Sequence, residues 1–382
     1  MSRRNKIIWG IVAGASVLLL LTFLVTRVIL GGDAKETTAQ EEKETDSIQE
    51  EAKSTERVET EIQTEAQEVQ EPEDTTLFFA GDACFAYTFE GKYTANGITG
   101  VVSDELLTEM QDADITMVNQ EFAFSTGGTQ AQDKQYTFRV DPKYVSAFEE
   151  MGVDIVTLAN NHSLDYGTEA LEDSFQTLDD AGIAYVGAGD SLERASRLEV
   201  FEVNGKKFGY LAATRVIPVG SWNIENNQPG LFCTYDDTML LAAIEKAKTQ
   251  CDFLTVYVHW GIERNTTPEA YQTSMAQEYI EAGADLVIGA HTHCLQGIQF
   301  FDGKPVYYSL GNYIFNATID KTAAVKVVVD EDGAVSYQLL AASASDGKTY
   351  LLEGTEKQNL YTYMEGLSYG VSIDEDGFVT EQ

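Results

Sequence analysis

The chain has 382 residues, 43% of them hydrophobic and 10% aromatic, enough for one large domain with a core and further segments at its ends. Its 62 acidic and 25 basic residues give a formal net charge of −37. A surface this acidic repels nucleic-acid phosphates and anionic lipid headgroups, and no run of Lys and Arg offers a basic patch, so no nucleic-acid partner is expected.

In chain order, residues 1–32 read as a cytoplasmic N-terminus and a membrane anchor. Arg3, Arg4 and Lys6 precede an uncharged apolar stretch over residues 7–26. That is about the ~20 residues a helix needs to cross a bilayer, and the basic flank places the N-terminus inside and the main domain outside the cytoplasm. The expected localisation is a single-pass cell-membrane protein. A cleaved signal peptide is the alternative, since Gly31, Gly32 and Ala34 follow the span. Residues 33–74 hold 16 acids against 4 bases and hardly an aromatic, which predicts a disordered acidic linker.

From residue 75 the pattern changes to short apolar runs: TLFFAGD, ITMVNQE, DIVTLANNH, AYVGAG, FGYLAAT, LTVYVHWG, DLVIGAHTH and VYYSLGN. Helix-like stretches over 142–151, 167–181, 237–250 and 268–282 lie between them, and this alternation predicts an α/β domain over 75–346. AVKVVVDEDGAVSYQLLAAS predicts a hairpin with its turn at Asp-Glu-Asp-Gly. Residues 347–382 read as a C-terminal appendage.

All four histidines, His162, His259, His291 and His293, follow directly on apolar strand runs, as do Asp82, Asn119, Glu121, Asn160 and Asn161. Sites in open α/β sheets form at the carboxyl ends of the strands, so one site can use all of them. His291 and His293 are on alternate residues of an extended segment. They can ligate two neighbouring ions, with a carboxylate such as Glu121 between them.

The ordered blocks GDACF, VNQEFAFS, TLANNHSLDYG, VYVHWGIE, VIGAHTHCLQG and YSLGNYIF resemble the CapA family of poly-γ-glutamate capsule synthesis and export, itself similar in fold to the calcineurin-like metallophosphoesterases. The resemblance implies a layered α/β sandwich with its site at the strand C-terminal ends, preceded by one transmembrane helix and the acidic stalk. It implies one or two divalent ions (Mn, Zn, Fe or Mg), with Asp82 and His293 on the first ion and Glu121 bridging. Asn161, His259 and His291 would hold the second ion, and His162 would be the general acid toward a leaving group. The sequence departs from the phosphoesterase pattern at Cys84, where that pattern has a histidine, and at Asn119-Gln120-Glu121, where it has Gly-Asp-x-x-Asp.

Asp165 either orients His162 through a hydrogen bond or caps the helix that begins near Tyr166. Asn119, Asn160, Glu263, Arg264 and Asn312 are weaker candidates for substrate contact. Glu263 and Arg264 read first as a solvated surface pair, and Asn312 also as turn chemistry. Cys84 and Cys294 each neighbour a motif residue and could pair or ligate, although buried free thiols are the default in so large a domain. The expected partners are an anionic polymer or phosphoester substrate, the membrane through the N-terminal helix, and membrane-embedded synthase or export subunits. The expected function is a metal-dependent phosphoesterase-like hydrolase in capsule synthesis, export or anchoring, or alternatively a non-catalytic polymer-binding or scaffold subunit.

Overall fold

The computed structural model describes residues 73–132 and 134–382. The expected anchor and all but the last two residues of the expected linker lie outside them. Among the described residues no helix is long and apolar enough to cross a membrane.

The chain first lays down β1 (Thr75–Ala83), helix α1 (Asp104–Asp112), β2 (Ile115–Gln120), α2 (Val145–Met151), β3 (Ile155–Thr157), α3 (Gly167–Ala181) and β4 (Ala184–Val186). It continues with β5 (Glu199–Val203), β6 (Lys206–Thr214), α4 (Thr238–Lys248), β7 (Phe253–His259), α5 (Ala270–Ala282), β8 (Leu286–Ala290), β9 (Ile298–Phe301) and β10 (Lys304–Tyr307). It ends with β11 (Asn312–Ile314), β12 (Ile319–Val329), β13 (Val335–Ser345), β14 (Lys348–Leu351) and α6 (Gly354–Leu367), before a small terminal hairpin.

Two sheets result. The first has the order β14-β13-β12-β1-β2-β3-β4, with β11 also paired to β1; the second has the order β9-β10-β8-β7-β6-β5. Strands β1 to β4 are mutually parallel, as are β6, β7, β8 and β10, while the β12–β13 hairpin is antiparallel as its Asp-Glu-Asp-Gly turn predicts.

Side-chain alternation along each strand sorts the core into layers. In β1, Leu77 and Phe79 join Tyr210, Tyr257 and Ile288 of the second sheet in one apolar cluster. Phe78 and Ala80 point the other way and pack with Leu106, Met110, Phe148 and Leu171 from α1, α2 and α3. On the far side of the second sheet, Val256 and Val258 pack with Leu240, Ile244, Met275 and Tyr279 of α4 and α5. The sequence is therefore read out as helices, sheet, sheet, helices. Helix ends follow local chemistry: the Ser103 hydroxyl accepts from Leu106 N at the start of α1, and Gly182, at φ 68°, closes α3.

The segment expected as an appendage is built into this core. β14 extends the first sheet, and Leu360, Tyr361, Met364, Val371, Ile373 and Val379 fill the inter-sheet cluster. The described residues from 73 onward form one compact unit. The physical reason is the amphipathic spacing of α6, whose apolar face would otherwise stay in water.

Two glycines set how closely the loops at the strand ends approach. A Cβ at Gly81 would lie 2.0 Å from the Gly311 carbonyl oxygen, and one at Gly289 would lie 2.0 Å from the Tyr308 carbonyl and 2.5 Å from Trp260 Nε1. The Gly289 gap is occupied by the 2.9 Å bond from Trp260 Nε1 to Tyr308 O. Gly289→Ala is expected to cost about 1–3 kcal/mol by forcing that backbone apart. A urea midpoint equal to that of the parent protein would show that the strand can yield without cost.

Candidate metal centre

Because both sets of parallel strands end on the same side, their C-terminal loops meet, and the Tyr257 hydroxyl donates to Ala80 O at 2.8 Å across the sheets. Asp82 is at the end of β1, where the register shifts on both sides, a bulge that re-aims the side chain. Asn119 is the next-to-last residue of β2, Glu121 follows that strand, and Asn160, Asn161 and His162 come after β3. His259 closes β7, and His291 and His293 follow β8. His291 and His293 have φ of 95° and 55°, a region costly for a side chain of this size. That turn lets two imidazoles two residues apart both approach Glu121.

Two groups of potential ligands come within reach of a single ion each: Glu121 with His259 and His291, and Asp82 with Glu121 and His293. Glu121 belongs to both. It is fully buried, and neither carboxylate oxygen has a hydrogen-bond partner. His293 Nε2 is 3.9 Å, His162 Nε2 3.8 Å and His259 Nε2 4.0 Å from Glu121 Oε1. Asn161 Oδ1 stands 2.7 Å from His259 Nε2, and His291 Nδ1 stands 3.1 Å from the same nitrogen. The remaining polar atoms brace the ligands. Asn119 Nδ2 donates to Asp82 Oδ1 at 2.8 Å, Asn160 Nδ2 donates to Asn119 Oδ1 at 3.0 Å, and Asn312 Oδ1 lies 2.7 Å from His293 Nδ1.

The electrostatics fit a cation. Burial, and then the neighbouring Asp82 carboxylate, push the Glu121 carboxyl well above the usual carboxylate range. Burial, and then His291, pull His259 well below the usual imidazole range; burial, and then His293, bring His291 down to about 3. His293 goes the other way, to about 10, because Glu121 and Asp82 outweigh the burial that opposes its charge. A buried carboxylate without donors costs several kcal/mol unless a proton or a cation compensates it. Neutral imidazoles beside such a carboxylate are the donor set of a Zn, Fe or Mn site.

Asp165 does not cap α3, which has Tyr166 at its N-cap without a side-chain bond. Its Oδ2 lies 2.7 Å from His162 Nδ1 and also accepts from Phe138 N at 2.7 Å. Its other oxygen is ion-paired with Lys134, whose ammonium also donates to Asn161 O and lies 3.0 Å from His162 Nδ1. Sequence reasoning missed Lys134, a lone lysine in a polar loop with no spacing signal. It also missed Phe138 and Phe315, whose rings pack on His162 at 4.5 Å and on His293 at 4.9 Å.

Other candidates sit farther out. Glu263 and Arg264 are exposed on the loop after His259, with Arg264 N donating to Thr292 O at 2.7 Å. All four cysteines are free, and neither group of potential ligands contains one. Cys84 is buried with its thiol pushed well up, first by burial and then by Glu121. The disulfide weighed from sequence is absent from the structure.

The Lys134–Asp165 pair gives the site a measurable signature. Lys134→Met is expected to destabilise the fold by about 3–5 kcal/mol, because it strands a buried carboxylate. Adding Asp165→Leu should recover a large part of that loss, since no charge is then left unpaired. Equal denaturation midpoints for Lys134→Met and the parent would show that water reaches Asp165.

The profile of the bacterial capsule synthesis protein family PGA_cap matches residues 76–317, a stretch that contains every residue of the two ligand groups. Capsule biosynthesis protein CapA of Bacillus anthracis is 30% identical over 225 residues, covering 57% of this chain and 54% of that protein. PGA biosynthesis protein CapA of Bacillus subtilis strain 168 is 31% identical over 185 residues, 48% of each chain. A probable polyglutamine synthesis accessory protein of Mycobacterium tuberculosis is 29% identical over 210 residues, 53% of this chain and 55% of that one. The chain spans about half the length of these curated relatives. The crystal structure of a hypothetical protein from Thermus thermophilus aligns at TM-score 0.42 and 17% identity over 70% of this chain and 99% of that one, a likeness too distant to argue from. With its ordered motifs inside a profile match that spans more than half its length, the chain belongs to the bacterial capsule synthesis protein family PGA_cap.

Proposed function

We propose that the domain is a metal-dependent hydrolase of metallophosphoesterase-like architecture, held outside the cytoplasm by an N-terminal membrane anchor, and that it acts in the synthesis, export or anchoring of a poly-γ-glutamate capsule. The capsule role rests on family membership and on the functions named for the Bacillus relatives. The observation that carries the chemistry is Glu121: a fully buried carboxylate with two unpartnered oxygens, shared by two groups of histidine and aspartate donors.

Divalent ions bound there supply Lewis-acid polarisation of a phosphoryl or acyl oxygen and activation of water. The chain's own residues do the rest. Asp82 and His293 form one side of the cradle and His259, His291 and Asn161 the other, with Glu121 between them. Asp165 and Lys134 fix the His162 ring so that Nε2 is turned toward Glu121, 3.8 Å from its Oε1, where it can give a proton to a departing oxygen, a contribution of ~10²–10⁴-fold. Asn119, Asn160 and Asn312 act through the ligands they hold, while Glu263 and Arg264 are left as rim groups for an incoming anion.

Three outcomes test this reading. Burial and Asp82 push Glu121 up, and Glu121 and Asp82 push His293 up to about 10 against its burial, so metal uptake is expected to displace a proton held by this pair, and affinity for Mn²⁺ to rise roughly tenfold per pH unit for each proton released. Calorimetry in buffers of different ionisation enthalpy counts the protons released; a heat independent of buffer overturns cation uptake at the Glu121–His293 pair. His259→Ala and His291→Ala are expected to lose metal in elemental analysis, and retention by both would sink the assignment. His162→Ala should keep its metal and lose turnover of an aryl phosphate, whereas full turnover would take His162 out of the mechanism. Metal without any turnover in the parent protein favours a polymer-binding scaffold instead.

A further inference from the structure

One exposed aromatic side chain lies over the rings that pack on the cluster. Tyr87 follows β1 in the loop after Cys84 and is 57% exposed. Its φ is 54°, a left-handed conformation that is an outlier for so bulky a residue. Backbone strain held in place beside a candidate site is an observation from which function can be argued. The ring packs on two others: Phe138 at 5.7 Å and 70°, and Phe315 at 6.1 Å and 40°. Those two are perpendicular to each other at 5.8 Å, and they are the rings that pack on His162 and His293. Tyr87 is thus one ring layer from both imidazoles. Tyr136, also 57% exposed, is close by: burial raises the Tyr87 phenol, and Cys84, Tyr136 and Glu121 each raise it further.

Charge narrows what such a wall can take. Lys134 is committed inward to Asp165 and the Asn161 carbonyl, which leaves Arg264 as an exposed cation beside the ligand loops. With 62 acidic against 25 basic residues, the chain does not favour a ligand carrying an anion on every repeat. It suits a ligand with one anionic centre and an uncharged ring next to it.

We propose that Tyr87, backed by Phe138 and Phe315, is a ring-binding wall, and that the ligand of the cluster is an anionic ester whose phosphoryl or acyl group carries a flat ring within stacking reach of Tyr87. The inference rests on the reading of the cluster as a cation site and narrows its substrate class from any phosphoester to a ring-bearing one. The repeating polymer itself is then not the group that enters the cavity. Offset or edge-to-face packing against an exposed aromatic ring gives about tenfold in affinity.

The test uses the full chain loaded with Mn²⁺ and two unreactive probes, phenylphosphonate and methylphosphonate, titrated by calorimetry. The parent protein is expected to bind phenylphosphonate about tenfold more tightly. Tyr87→Phe should keep that preference. Tyr87→Asn, a residue that tolerates the left-handed backbone, should lose it while methylphosphonate affinity and metal content stay unchanged. Equal affinity for the two probes in the parent overturns the wall, as does a preference that survives in Tyr87→Asn, or parent protein that binds neither probe. A ring preference without turnover of any ester keeps the wall and removes the hydrolase reading. Turnover without ring preference does the reverse.

Discussion

Glu121 is the constraint around which this domain is organised. A carboxylate with no exposed surface and no donor on either oxygen is tolerated only where something else supplies positive charge, and the surroundings are arranged accordingly. Asp82 comes from the first sheet and His259, His291 and His293 from the second, so neither sheet alone builds the cluster. The inter-sheet core of Leu77, Phe79, Tyr210, Tyr257 and Ile288 is therefore what holds the ligands at their distances. Packing and site chemistry are coupled at this point, because a slip of one sheet over the other would separate the donors. The Tyr257 hydroxyl bonded to the Ala80 carbonyl ties the two sheets next to Asp82.

The outer ring of hydrogen bonds explains why so many asparagines surround so few ligands. Asn119, Asn160 and Asn312 add donors and acceptors without adding charge, which suits a cavity already rich in carboxylates. A fourth acid at any of those positions would raise the cost of keeping Asp82 and Glu121 together. On the other side, Lys134 neutralises Asp165, so that the group orienting His162 does not itself compete for a cation.

Much of this was legible in the sequence, for a definite reason. Strand runs that end in Asp, Asn, Glu or His state where a site must form, since parallel strands bring their carboxyl ends together regardless of loop detail. The grouping of Asp82, Glu121 and His293, and of Glu121, His259 and His291, follows from that rule and from the resemblance. What escaped lay in loops or in close approach. Lys134 carries no periodic signal, and its role exists only once its loop lies over His162. Asp165 offered two equal readings because a helix start and a histidine partner use the same residue type; its bonds to His162 and Phe138 decide between them. The terminal segment looked weak because α6 is moderately polar, yet Leu360, Tyr361 and Met364 are three or four residues apart or adjacent and meet the core together.

Strand β1 has a further consequence. Its first residue, Thr75, pairs with Val329 at one end of the domain, and Asp82, roughly 23 Å along the strand at ~3.3 Å per residue, pairs with Asn119 and Asn312 at the other. Polypeptide arriving from residue 73 therefore joins the domain at the pole away from the cluster. A mechanical load transmitted from upstream would enter along β1 itself, shearing its ladders to β2 and β12 together rather than unzipping them one bond at a time. The strand that carries Asp82 is thus also the strand through which an upstream pull would reach the domain, entering it at the pole opposite the candidate cluster.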